Sequence, residues 1–318
     1  MAKKFTPIDL NKVKTYPLPD RKSKVSSADF ARPWEKGSTY SDFLSSLPNI
    51  LAGNDFKAVI TALAKAARHN KTIILGMGAH VIKVGLNPIV IDLMQRGIIS
   101  GVAMNGAGII HDLEVAMTGQ TSEDVAASID NGSFGMARET CEFLSAATAE
   151  SQSESSGLGR AVGRAIIDQK LPLRKQSILA AGCRLDIPVT VHVAIGTDII
   201  HMHPSFDPAK TGQASHTDFR LFTSMVGSLQ DGVYLNVGSA VILPEIFLKA
   251  VTLARNLGHT LDSFTTVNLD FIRHYRPLTN VVQRPTARGG SGIKMVGHHE
   301  ILVPLIAAGL IEELETAS

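Results

Sequence analysis

The chain is poor in cysteine, in aromatic rings and in net charge. Its 318 residues include two cysteines, Cys141 and Cys183. Two thiols cannot build a disulfide framework or a cysteine-rich zinc site, and they fit a reducing compartment, most simply the cytoplasm. Lys+Arg 31 against Asp+Glu 29 leaves a formal charge of +2. That balance argues against nucleic acid or an anionic membrane as the main partner. No run of apolar residues approaches the ~18 needed to span a bilayer. The opening MAKKFTPIDLNKVK is basic but lacks an apolar core, so no signal peptide is expected. What remains is a globular balance, 44% hydrophobic and 19% charged, sufficient for a sizeable core.

Residues 1–40 stand apart. They carry nine Lys/Arg and four Asp/Glu with little periodicity, and read as an N-terminal arm, lying on its own domain or reaching a neighbouring subunit. From 41 to 318 the pattern is regular and reads as a single domain. Short apolar runs, TIIL, GVAMN, PVTVHV, VYLNV and FTTVNL, alternate with stretches whose apolar residues recur at threes and fours. This alternation predicts an α/β fold, Rossmann-like, with a mainly parallel sheet of about six strands and helices on both faces. Ligands of such sheets sit at the C-terminal ends of the strands. The stretch SEDVAASIDNGSFGMARETCEFLSAATAES reads as largely helical, and HMHPSFDPAKTG as a long loop.

Three strands run into small-residue turns: Gly76 and Gly78, Gly106 and Gly108, and Gly238. Such turns let backbone amides approach a phosphate at a helix N-terminus, and three on one sheet favour a nucleotide over mere tight turning. Histidines form a second signal. His201 and His203 are two apart, His298 and His299 adjacent, and His80, His111 and His216 lie at or just beyond turns. A metal site is conceivable, but no ligand spacing such as HExxH accompanies them. The third signal is ARGGSGIKMVGHHE, a glycine-rich loop with one lysine, Lys294, and Ser291 able to orient a water or an ammonium. A lysine desolvated in a closed site loses its proton and becomes a nucleophile for imine chemistry.

Together these blocks resemble the deoxyhypusine synthase family over most of the chain, from about residue 40 to the last helix. The resemblance rests on TIILGMGAHVIKVGLNPIVIDLMQRGIISGVAMNGAGIIHDLE, GLGRAVGRAI, IPVTVHVAIGTDIIHMHPSFDP, GVYLNVGSAV and RPTARGGSGIK, in that order. It implies an NAD-dependent transferase, usually a homotetramer with sites between subunits. Such an enzyme oxidises a polyamine or related amine, carries the aminobutyl group as an imine on a lysine, and passes it to a second amine or a protein lysine.

Position by position, the resemblance puts Lys294 at the imine-forming lysine and Gly106, Ala107 and Gly108 at the dinucleotide turn. Asp198 takes an amine-binding acid and His203 a nearby histidine. Gly238 and Ser239 take the third glycine turn, and His298 an adenosine-side acid. Departures are concentrated in the polyamine pocket. Ile110 and His111 replace paired acids, with Asp112 kept; Leu243 or Pro244 stands where a histidine is expected; and SGIK lacks the tryptophan of the lysine loop. His111 at an acid's position is a candidate general base. The expectation is therefore an NAD-dependent amine transferase. The alternatives are a dinucleotide-binding protein without transferase activity, or a metal-assisted enzyme using His201, His203 and His298.

Overall fold

The apolar runs form strands because each is flanked by turn residues and buried on both faces. In the computed structural model, which describes residues 2–154 and 156–315, they are β1 (Ile73–Met77), β2 (Gly101–Asn105), β3 (Val189–His192), β4 (Val233–Val237) and β5 (Thr265–Asp270). A sixth, β6 (Ser291–Val296), lies at the edge. All pair in parallel, in the order β3-β2-β1-β4-β5-β6. The order reverses direction between β1 and β4, the switch point at which open α/β sheets bind ligands.

The helices ahead of β3 are α1 (Tyr40–Ser46) and α2 (Ala52–Arg68) before β1, then α3 (His80–Lys83), α4 (Asn87–Gln95), α5 (Gly106–Thr118), α6 (Val125–Ser128), α7 (Arg138–Glu154), α8 (Leu158–Asp168) and α9 (Ile178–Leu185). After β3 come α10 (Pro208–Gly227), α11 (Ile242–Asn256), α12 (Tyr275–Pro277) and α13 (His299–Glu315). The period of two along the strands divides the core. Ile73, Leu75, Met77, Val102, Met104, Val267 and Leu269 face α2, α4, α5 and α13. Ile74, Ala103 and Tyr234 face Phe222 of α10 and Phe247 of α11. The Tyr234 and Phe247 rings stack 3.8 Å apart, 5° from parallel. Each large side chain removed from water on either face is worth about 1.5–3 kcal/mol.

Two buried carboxylates tie layers together. Asp112 of α5 is fully buried and accepts hydrogen bonds from Asn87 Nδ2, Ser177 Oγ and the amides of Ile178 and Leu179, thereby capping α9. Asp218 of α10 accepts from the amides of Gly159 (3.0 Å) and Val191 (2.8 Å), joining α10 to α8 and β3. Burial raises Asp112 to about 6 and Asp218 to about 7, against the opposing pull of these hydrogen bonds.

Three expectations are corrected. The glycine-rich segment around Lys294 is a strand rather than a flexible loop: its backbone pairs with β5, Lys294 opposite Asn268, and Ile293 and Met295 alternate into the core. The stretch 122–151 is helical only in α6 and α7, with turns between them around Gly132 and Gly135, both at positive φ. The loop after β3 is shorter than its composition suggests, because Asp207 caps α10 and Pro208 occupies its first position. Residues 2–39 form three short 3-10 turns and are almost entirely exposed; the Asn49 amide donates to the Asp29 carbonyl and the Arg32 amide to the Ser46 carbonyl.

Candidate functional site

At the switch point the turns after β1 and β4 touch. The Gly78 amide donates to the Val237 carbonyl (2.9 Å), and a Cβ at Gly78 would lie 2.1 Å from the Gly238 carbonyl oxygen. Gly76 sits under the Tyr234 ring, with no room for a side chain. Gly238 adopts φ +65°, and a Cβ there would strike His299. Ser239 Oγ accepts from the Leu243 amide (3.2 Å), so this hydroxyl caps α11. Beneath Gly238, His299 is fully buried; burial pushes its pKa down and holds it neutral. Its Nδ1 lies 2.9 Å from His80 Nδ1, and Phe271 closes the cluster with its ring 5.6 Å from His80 and 5.9 Å from His299.

One strand over, Asn105 Oδ1 accepts from the Gly108 amide (3.1 Å) and caps α5. Gly106 and Gly108 are buried and Ala107 is half-buried. The Asp198 carboxylate lies directly on Gly106, where a Cβ would come 2.0 Å from Oδ2. Burial raises the Asp198 pKa, opposed by His201, by a hydrogen bond from Thr197 and by His111. His201 Nδ1 accepts from the amides of Gly196 (3.0 Å) and Asp198 (3.1 Å), so its proton is on Nε2, a buried atom with no partner among the described residues.

His111 belongs to the same group. Thr121 Oγ1 donates to Glu114 Oε2 (2.5 Å) and lies 2.6 Å from His111 Nδ1. Thr121 has one proton to give, so His111 donates from Nδ1 and carries its lone pair on Nε2. Thr140 also donates to Glu114 (3.3 Å). Burial pushes Glu114 up, but the neighbouring His111, 3.7 Å away, and the hydrogen bond from Thr121 outweigh it and hold the carboxylate below its ordinary range. Asp198 thus lies on the N-terminus of α5 and interacts with His111 further along the helix, and His111 adjoins Glu114, whereas Asp112, next in sequence, points into the α9 junction.

The remaining sequence candidates lie elsewhere. Lys294 is exposed in the middle of β6, three strands from β1. Ser291 starts β6 at the opposite end of the sheet, where it lines a cleft of about 560 Å³ with Lys65 and Lys71. His203 is half-buried, 2.7 Å from Ser205 Oγ. His298 is 69% exposed beside Glu300, while its neighbour His299 reaches the crevice. His201 lies in a 3-10 turn and His203 is its C-terminal cap. Among the described residues no group of three or more His, Cys, Asp or Glu could hold a metal.

Glu114, Thr121 and the His80–His299 pair were not anticipated from sequence. The three-residue spacing of His111 and Glu114 on one helix could have revealed the first. The residues at the β1–β4 switch point could hold a dinucleotide: Gly78 and Gly238 put bare backbone at the crevice, and Phe271 gives an apolar wall for a flat ring.

No family model and no curated protein matches the sequence. Solved structures do. A protein of Entamoeba histolytica assigned as a deoxyhypusine synthase superposes with TM-score 0.53 at 13% identity, over 89% of this chain and 96% of that one. The chain has the deoxyhypusine synthase-like fold. AgrE, solved with ornithine and NAD+, superposes with TM-score 0.53 at 13% identity over 86% of this chain. This chain spans 35% of AgrE's length. A conserved LOR/SDH protein of Methanococcus maripaludis S2 gives TM-score 0.50 at 14% identity over 89% of this chain and 72% of that one.

Proposed function

We propose that this chain is an NAD-dependent enzyme that oxidises a polyamine or related amine at the C-terminal crevice. The observation that carries the reading is the group along α5: Asp198 on Gly106, His111 with its bare Nε2 interacting with that carboxylate, and Glu114 adjoining His111. Carboxylates attract an ammonium, and a histidine with a free lone pair takes its proton. NAD bound along the switch point would accept a hydride from the carbon next to the amine nitrogen and later return it. With the proton on His111 and the hydride removed, the amine becomes an imine.

Transfer then needs a nucleophile. Unprotonated Lys294 Nζ adds to the C=N carbon, the original nitrogen leaves as an amine, and an acceptor amine displaces the lysine in turn. The acceptor is a second small amine or a protein lysine. Within one chain Lys294 sits two strands from β4, roughly 10 Å at the usual spacing. The lysine therefore acts on a neighbouring copy, and a homotetramer with shared sites is the assembly that follows.

The test is incubation with NAD and spermidine, borohydride reduction and peptide mass spectrometry, with light scattering for assembly. Wild type is expected to carry an adduct on Lys294 that Lys294→Arg lacks. NADH formation without adduct would reduce the reading to a dehydrogenase. NAD binding without NADH formation would favour the dinucleotide-binding alternative.

A further inference from the structure

A second histidine at the crevice has its lone pair fixed by the fold. His299 Nε2 lies 3.3 Å from the Leu269 carbonyl oxygen, which has no proton to give. His299 therefore donates from Nε2, and its Nδ1 is an acceptor. The His80 Nδ1 2.9 Å away must then be the donor, and His80 carries its lone pair on Nε2. That atom has no hydrogen-bond partner among the described residues and reaches solvent. His80 itself stands at the first position of α3, directly after the Gly78 turn.

We propose that His80 is a proton acceptor of the switch-point crevice, with His299 as the positioning residue that keeps the His80 Nε2 bare. The arrangement has the parts of an oriented base: a histidine, a second group that fixes its tautomer, and a backbone carbonyl that orients that group. Burial of His299 in neutral form keeps it an acceptor at Nδ1. A gained proton on His80 Nε2 leaves the Nδ1 hydrogen bond intact, so proton transfer needs no rearrangement of the pair. Phe271, 46% exposed, forms a wall beside the ring. The charged and titratable groups on the pair's own elements and those packed against them are Asp270 at the end of β5 and His274 after it, His298 and Glu300 at the start of α13, His111 and Glu114 on α5, which packs on α3, and Lys83 on α3 itself.

The inference deepens the proposed amine oxidation by naming a second proton acceptor on the β1 side, but its first test is independent of that reading. Nitrogen-15 NMR of the full chain reads the tautomer of each histidine. His80 is expected to be protonated on Nδ1 and His299 on Nε2. His299→Gln retains an acceptor for His80 and a donor for Leu269, and should preserve the His80 tautomer. His299→Phe supplies neither and should let His80 revert to the common Nε2-protonated form. If His299→Phe fails to fold, the wild-type and His299→Gln spectra decide. A proton on His80 Nε2 in the wild type overturns the proposal.

The second test is NADH formation from NAD and spermidine. His80→Gln should lower kcat by about 100-fold or more, with NAD affinity unchanged and His299→Gln retaining more turnover than His80→Gln. Full turnover in His80→Gln overturns the proposal and leaves the amine reading standing. No NADH from wild type overturns the amine reading instead, and the NMR result then decides the proposal alone.

Discussion

The two sides of α5 present adjacent residues to opposite environments. Asp112 enters the α9 junction, where four donors converge on its two oxygens and no water reaches it. His111 faces the other way, into a half-open group in which its Nε2 and Asp198 are not saturated by the protein. A polar group whose hydrogen bonds are all made within the chain holds the fold. One with a position left open has something to offer a ligand. The same contrast separates Asp112 from His80, with a free nitrogen beside the crevice.

The largest effect should come from breaking the saturated side. Asp112→Ala leaves four donors unpaired and is expected to cost about 3–5 kcal/mol in denaturant unfolding. Asp198→Ala should cost about 1 kcal/mol or less; equal costs would erase the contrast. Next is His111→Ala, which should lower amine-dependent NADH formation by about 100-fold while leaving NAD affinity nearly unchanged. Parallel losses in both would make His111 a turn-fixing residue.

A pH series sharpens the comparison further. Asp218, raised to about 7, keeps a proton in the folded chain that the unfolded chain releases above its ordinary value of 3.8. Its contribution is complete below about pH 4 and is lost as pH rises through 7. The difference in Tm between wild type and Asp218→Asn should therefore shrink from pH 5 to pH 8; a widening difference would contradict the assignment. The smallest effect on the fold is expected for Lys294→Arg, within about 0.5 kcal/mol of wild type, because Lys294 is exposed.

Five strands were legible because each is a short apolar run buried on both faces, as the all-buried Ile73–Met77 illustrates. β6 was not: an edge strand with alternating burial and a glycine-rich start resembles a loop. The glycine turns were legible at the correct ends of strands, whereas His111, expected at or just beyond a turn, is the sixth residue of α5 because the helix starts at Gly106. Which of two adjacent histidines turns inward was not, since His298 and His299 differ only in how α13 begins. The His80–His299 pair joins residues 219 positions apart, and no local spacing encodes such a contact.

The central claim is that the crevice at the ends of β1, β2 and β4 binds NAD and turns it over with an amine. Mixing the purified chain with NAD and spermidine and following the absorbance of reduced nicotinamide tests it directly. The account predicts NADH formation that depends on both additions and falls sharply in His111→Ala. Calorimetric silence with millimolar NAD, together with no NADH from any amine tried, would contradict it.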